Sequence, residues 1–230
     1  MLEEAGALHP GARVLEIGPG AGQATRELLN RGAEVIAVEM GANFAARLRA
    51  ELAGHRLTVV EGDFDSLTGM REDFRLAVCA ASLHWLDSAT AIPRIAALLR
   101  PGGWFAAWWT IYGDPTRPSV FRESLDGVLR RHRPAGGLKG AREPLDHDAW
   151  IEELSTAGVF DDIRAEIIRW AAVMSAEQTA RLYGTFAVVR ELPESRREAL
   201  LRDIAQVVDD LGGHVVEHFL TPVYLARKAP

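Results

Sequence analysis

Between Arg13 and Trp109, short apolar runs alternate with stretches whose apolar residues recur every three or four positions, the rhythm of βαβ units wrapped around a parallel sheet. Five strands are expected there: Arg13 to Ile17, Glu34 to Glu39, Leu57 to Glu61, Leu76 to Ala81 and Trp104 to Trp109. Each is a nearly continuous apolar run, as suits a strand covered on both faces. A helix through Leu28 and Leu29 follows the first strand, and Gly32 is placed to close it. Phe44, Leu48 and Leu52 recur every four residues and predict the inner stripe of a second helix, with Gly54 at its C-terminal end. A third helix is expected to end near Leu99, before a turn of Pro101, Gly102 and Gly103.

The pattern changes after Thr110. Gly113, Pro115, Pro118, Pro134, Gly136, Gly137 and Gly140 bracket one helical stretch containing Val120, Phe121, Leu125, Val128 and Leu129, which is expected to be a helical lid inserted over residues 111–143. Periodicity then resumes with a helix around Trp150 and Leu154, closed by Gly158, and a strand from Ile163 to Trp170. Ser175 and Gln178 form a capping box for the next helix. Pro193 starts another, striped by Leu200, Leu201, Ile204, Val207, Val208 and Leu211, and a final strand runs from His214 to Arg227.

A chain of 230 residues that is 48% hydrophobic suits one α/β domain spanning residues 1–230. Lys and Arg total 26 against 32 Asp and Glu, a net charge of -6, without a basic run. That balance argues against nucleic acid or an anionic membrane as the main partner. Cys79, the single cysteine, lies in an apolar run and reads as a buried thiol, which predicts a reducing, cytoplasmic setting. No segment approaches the roughly 18 apolar residues a membrane span needs, so neither secretion nor insertion is expected.

Candidate chemistry starts at Gly18, Pro19, Gly20, Ala21 and Gly22, between the first strand and its helix. Glycines there permit a tight turn and let a ligand approach the backbone. A diphosphate site wants G-x-G-x-x-G, but Gln23 holds the third glycine position, and the third glycine comes one residue earlier. Glu16 instead suits a ligand with a cationic amino acid end; the alternative is a purely structural strand-to-helix turn. Glu39 ends the second strand, where a carboxylate can accept the ribose hydroxyls of a nucleoside or simply face solvent. Asp63 follows the third strand, where it either accepts from an adenine amino group, with Phe64 covering the ring, or belongs to an ordinary polar turn.

The order Glu16-x-Gly18-x-Gly20-x-Gly22, Glu39, Glu61-Gly62-Asp63 and Leu99-Arg100-Pro101-Gly102-Gly103 resembles the class I S-adenosylmethionine-dependent methyltransferases, over Ala12 to Trp109. Ala81 to Asp87, reading Ala-Ser-Leu-His-Trp-Leu-Asp, is similar to the same stretch in small-molecule enzymes related to trans-aconitate methyltransferase. The resemblance implies a Rossmann-like, doubly wound sheet of seven strands, mostly parallel with an antiparallel last strand. It implies S-adenosylmethionine as cofactor, with Gly18, Gly20 and Gly22 at the methionine end, Glu39 on the ribose and Asp63 on the adenine. Met40, Phe64 and Ala81 are expected alongside them.

Transfer from a sulfonium is an in-line displacement that needs positioning and exclusion of water more than acid–base groups. His84, past the fourth strand, either takes a proton from an attacking acceptor or holds its loop, with Trp85, as a wall of the cofactor pocket. Trp85, Trp108 and Tyr112 are expected to line an acceptor pocket, as Trp109 also can, and at least one of these aromatics is expected to be plain core. The histidines show no metal-ligand spacing, so no metal is expected. Family members carry a helix and an aromatic segment ahead of the first strand; here little precedes Arg13, which predicts either a late start or a lid supplied after Thr110, and weaker cofactor binding if the cap is absent. The leading expectation is methylation of a small-molecule acceptor. A catalytically silent cofactor-binding protein is the alternative, and a nicotinamide-dependent oxidoreductase a third that Gln23 opposes.

Overall fold

A computed structural model describes residues 1–132 and 145–229. Pro134, Gly136, Gly137, Gly140 and the rest of the expected insertion beyond residue 132 lie outside the described residues. In chain order the elements are β1 (Arg13–Ile17), α1 (Gln23–Asn30), β2 (Glu34–Glu39), α2 (Ala42–Glu51), β3 (Leu57–Glu61), β4 (Phe74–Ala80), α3 (Ser88–Leu98) and β5 (Leu99–Trp108). Then come β6 (Ile111–Tyr112), α4 (Val120–His132), α5 (His147–Thr156), β7 (Phe160–Ser175), α6 (Ala176–Tyr183), α7 (Ala187–Arg190), α8 (Glu194–Asp210) and β8 (His214–Lys228). Single 3₁₀ turns occupy Phe64–Ser66 and Leu83–Trp85. Two compact units divide the chain, residues 1–109, 145–167 and 222–229 in one, residues 110–132 and 168–221 in the other.

In the first unit the sheet order is β3-β2-β1-β4-β5-β8. The strands are parallel from β3 to β5, and β8 closes the row antiparallel to β5. Val14, Val35, Ala37, Leu76, Val78, Trp104, Ala106 and Leu225 form one buried cluster within it. Fully burying a side chain such as Val or Leu stabilises by about 1.5–3 kcal/mol, which is why these strands tolerate so little polarity. From β1 the chain moves outward through β2 and β3, then returns to place β4 on the other side of β1. The loops leaving β1 and β4 therefore diverge, and a crevice opens at their C-terminal ends.

Three local expectations are corrected. Phe44 is not on the inner stripe of α2: Ala45, Leu48 and Leu52 are buried there, whereas Phe44 is 40% exposed. Residues three and four before Leu48 both flank its face, and the small Ala45 takes the inward place. The turn at Pro101 to Gly103 lies inside β5 rather than before it; pairing steps from Phe74 with Leu99 to Leu76 with Trp104, so the extra residues form a bulge. The described residues contain eight strands, because β6 is two residues long, too short to show a period, and pairs Ile111 with Leu220 and Tyr112 with Phe219.

In the second unit Phe121, Leu125 and Val128 of α4 share a core with Tyr183, Leu200, Ile204 and Val208. The capping box of Ser175 and Gln178 opens α6, and Pro193 is the N-cap of α8. Leu211, expected on the stripe of α8, is exposed because the helix stops at Asp210. Among the described residues no helix is long and apolar enough to cross a membrane.

Candidate functional site

Within the first unit a hollow of about 670 Å³ opens where β1, β2, β3 and β4 end, lined by residues of their exit loops. Gly18, Gly20, Glu39, Met40, Asp63, Phe64, Ala81 and Trp85 border it, eight of the residues picked out in the sequence. Phe44, which sequence periodicity assigned to the core, borders it as well. Glu16, Gly22, His84, Trp108 and Tyr112 do not.

The three glycines answer to different constraints. At Gly18 a Cβ would stand 2.7 Å from the Ser82 Cβ. Ser82 donates its hydroxyl to the Ile17 carbonyl, so the exits of β1 and β4 are tied together at that point. At Gly22, the N-cap of α1, a Cβ would stand 2.5 Å from Cδ2 of the buried Leu48. Both are required by protein packing. Gly20 has φ of +56°, and no other group of the described residues lies within 4 Å of where its Cβ would be. Its bare face is open space.

Glu39 is 7% exposed, and its carboxylate is held by two backbone donors. The N–H of Gly20 donates to Oε2 at 2.9 Å, and that of Gly41 donates to Oε1 at 2.7 Å. Each oxygen keeps acceptor capacity for a further donor. Asp63 caps the turn Phe64–Ser66, its Oδ1 accepting from the Asp65 N–H at 3.1 Å, and is otherwise exposed. Phe64 behind it is buried. Ala81 borders the hollow at φ of 58°, and is the only non-glycine with positive φ among the described residues. The left-handed conformation costs about 1–2 kcal/mol, offset here by its N–H donating to the Trp108 carbonyl at 2.8 Å. Met40 and Trp85 stand 74% and 71% exposed at the rim.

The expected contact from Glu16 is corrected. Its side chain has no exposed surface, and among the described residues neither carboxylate oxygen has a hydrogen-bond partner. Burial pushes its pKa up to about 7, with Thr25 beside it opposing the rise and Glu39 adding to it. Trp108 packs against the core cluster of the sheet. Tyr112 belongs to the second unit, against Phe186 and Phe219, on the wall of a separate hollow.

His84 is half-buried, and burial lowers its pKa. Trp109, 5% exposed, donates its indole N–H to Nδ1 of His84 at 3.1 Å. An indole nitrogen is a donor only, so Nδ1 must be the acceptor and the neutral ring carries its proton on Nε2. In this arrangement neither ring nitrogen offers a lone pair to an acceptor's proton. Sequence reasoning missed the pair because nothing local links residues 25 positions apart.

A family model described as a methyltransferase domain matches residues 14–103. Among curated proteins the chain is 34% identical over 138 residues to an uncharacterized methyltransferase, Mb3374, of Mycobacterium bovis, covering 53% of this chain and 56% of that one. It is 54% identical over 56 residues to the ribosomal RNA small subunit methyltransferase A of Thermosynechococcus vestitus, covering 24% of this chain and 21% of that one. The chain thus spans between about a fifth and just over half the length of these relatives. It shares its fold with Haemonchus contortus phosphoethanolamine N-methyltransferase 2, solved with phosphomonomethylethanolamine and S-adenosylhomocysteine, at a TM-score of 0.59 and 18% identity, covering 100% of this chain and 51% of that one.

Proposed function

We propose that the chain, whose residues 14–103 match a methyltransferase-domain family model, is a class I S-adenosylmethionine-dependent methyltransferase that moves a methyl group from S-adenosylmethionine to a small organic acceptor in the cytoplasm. One juxtaposition carries the reading: the open face of Gly20 and the carboxylates of Glu39 and Asp63 border a single hollow. Those residues fit the cofactor. Glu39 would accept the ribose hydroxyls on the lone pairs that Gly20 and Gly41 leave, and Asp63 the adenine amino group. Met40 and Phe64 would flank the base, while Gly18, Gly20 and Ala81 would face the methionine end.

Bound there, S-adenosylmethionine supplies a methyl carbon already made electrophilic by its sulfonium. The chain's contribution is alignment and exclusion of water, to which the exposed ring of Trp85 at the rim would add by closing over the ligand. A small acceptor is favoured over nucleic acid by the net charge of -6, since a phosphate backbone calls for a basic surface. Titration calorimetry with S-adenosylhomocysteine and, separately, with NAD tests the assignment; preference for NAD, or binding of neither, overturns it.

The engagement of His84 Nδ1 by Trp109 favours one second reading, a protein that holds the cofactor without turning it over. Tight binding of S-adenosylhomocysteine, with no methylation across panels of carboxylic acids, phenols and amines, would select that reading.

A further inference from the structure

Arg94 lies on α3 and is not part of the wall of the hollow, yet it grips the Asp63 turn at three points. Its Cζ stands 5.1 Å over the centre of the Phe64 ring. Nη1 donates to the Asp65 carbonyl at 3.1 Å, and Nη2 donates to the Leu67 carbonyl. The planar fork of a guanidinium can serve two carbonyls and a ring face at once, which an ammonium cannot.

Besides that grip, the turn is anchored by the buried Phe64 side chain and, just before it, by the Gly62 N–H, which donates to the Glu39 carbonyl at 3.0 Å. It is a single 3₁₀ turn of three residues, and Asp63, Asp65 and Ser66 are exposed. Inside it, the Asp63 carboxylate caps the Asp65 N–H at 3.1 Å and the Ser66 hydroxyl donates to the Asp63 carbonyl at 3.1 Å. Arg94 ties this short segment to a helix whose Ala91, Ile92, Ile95 and Ala96 are buried. The tie is not a gain in every part, because Nε of Arg94 is buried with no hydrogen-bond partner among the described residues.

We propose that Arg94 is the positioning residue that fixes the Asp63 carboxylate for selection of the adenine amino group. The inference rests on the cofactor reading above. Without the clamp, Asp63 would have to be ordered during binding, and its hydrogen bond to the base would lose strength to that ordering. Affinity for a base lacking the amino group should change little.

The test compares S-adenosylhomocysteine with S-inosylhomocysteine, which carries a carbonyl oxygen where adenine carries its amino group, by calorimetry. Wild type, Arg94→Met, Arg94→Lys and Asp63→Ala are measured, each with its thermal unfolding. Wild type should prefer the adenine ligand by about tenfold or more, the weight of one charge-assisted hydrogen bond. Arg94→Met should bring the preference to within a few-fold, Arg94→Lys should recover part of it, and Asp63→Ala should abolish it. Should Arg94→Met fail to fold, Arg94→Lys carries the comparison alone.

An unaltered preference in both Arg94 variants, with Asp63→Ala losing it, overturns the role of Arg94 and leaves Asp63 in place. A uniform loss of affinity for both ligands with the preference intact does the same, since that is what general loosening would give. A preference that survives Asp63→Ala, or is missing from wild type, removes Asp63 from adenine recognition and the inference with it.

Discussion

Replacing Glu39 tests the site most directly, because its carboxylate has two tasks that can be separated by measurement. In the free protein it accepts from the Gly20 N–H at 2.9 Å and the Gly41 N–H at 2.7 Å, which fixes the glycine turn against the end of β2. With ligand it would accept the ribose hydroxyls as well. Hydrogen bonds to a charged partner contribute about 1.5–3 kcal/mol net, so Glu39→Ala should weaken S-adenosylhomocysteine binding about 10- to 150-fold. The two amide groups left behind border an open hollow that water can enter, so the stability loss should sit at the low end, about 1 kcal/mol for each donor. Glu39→Gln is no rescue. An amide offers one oxygen and one NH₂, so one backbone N–H would keep its acceptor and the other would meet a second donor. Calorimetry reads the affinity and thermal unfolding reads the stability. An alanine variant that binds within about threefold of wild type, a change below 1 kcal/mol, would refute the assignment of Glu39 to the ribose.

Gly18→Ala should destabilise the fold by more than the 1–2 kcal/mol of left-handed backbone strain, because its Cβ would meet Ser82 at 2.7 Å. Ser82→Gly should recover part of that loss, and additive effects in a double-mutant cycle on urea unfolding would refute the contact. Glu16, with its pKa raised from 4.5 to about 7, holds a proton in the folded chain that the unfolded chain has already lost. Its effect on stability is therefore absent below about pH 4.5, grows unfavourable as pH rises towards 7 and is level above; Glu16→Gln should become the more favoured variant by about 2–3 kcal/mol between pH 5 and 8. A wild-type-to-variant difference that stays constant with pH would remove the buried charge from the account. His84→Ala should lower stability by about 1–3 kcal/mol by stranding the Trp109 indole N–H, and His84→Asn should restore most of it by offering an amide oxygen. Equal unfolding temperatures for all three proteins would show that the bond contributes nothing.

The parts of the fold legible in sequence are those imposed by local rules. Strands buried on both faces must be apolar throughout, so β1, β2 and β4 show as runs, and Gly32, Gly54 and Gly158, all at positive φ, follow the helices whose ends they are expected to mark. The exits of β1, β2 and β3 then place Gly20, Glu39 and Asp63 at one edge without further information. What stayed hidden depends on partners distant in the chain. Phe44 turned to the rim because Ala45 packed inward. Nothing near residue 94 announces that Arg94 reaches back to residues 64–67. Trp108 and Tyr112 are aromatic in the expected places, yet one packs on the sheet core and the other on Phe186 and Phe219.

The glycine pattern illustrates how a ligand motif can be mostly a folding motif. Two of its three glycines make room for Ser82 and Leu48, so their presence specifies how β4 and α2 close on the turn and would be needed with no ligand at all. The statement about a ligand rests on Gly20, and Gly20 is bound by its own N–H to Glu39. The carboxylate that would face the ribose is therefore also the group that holds the open part of the turn in shape. Because that geometry exists before any ligand arrives, little ordering remains to be done at the ribose end on binding. Ordering should matter instead at the adenine end, where the exposed Asp63 turn depends on a clamp from α3.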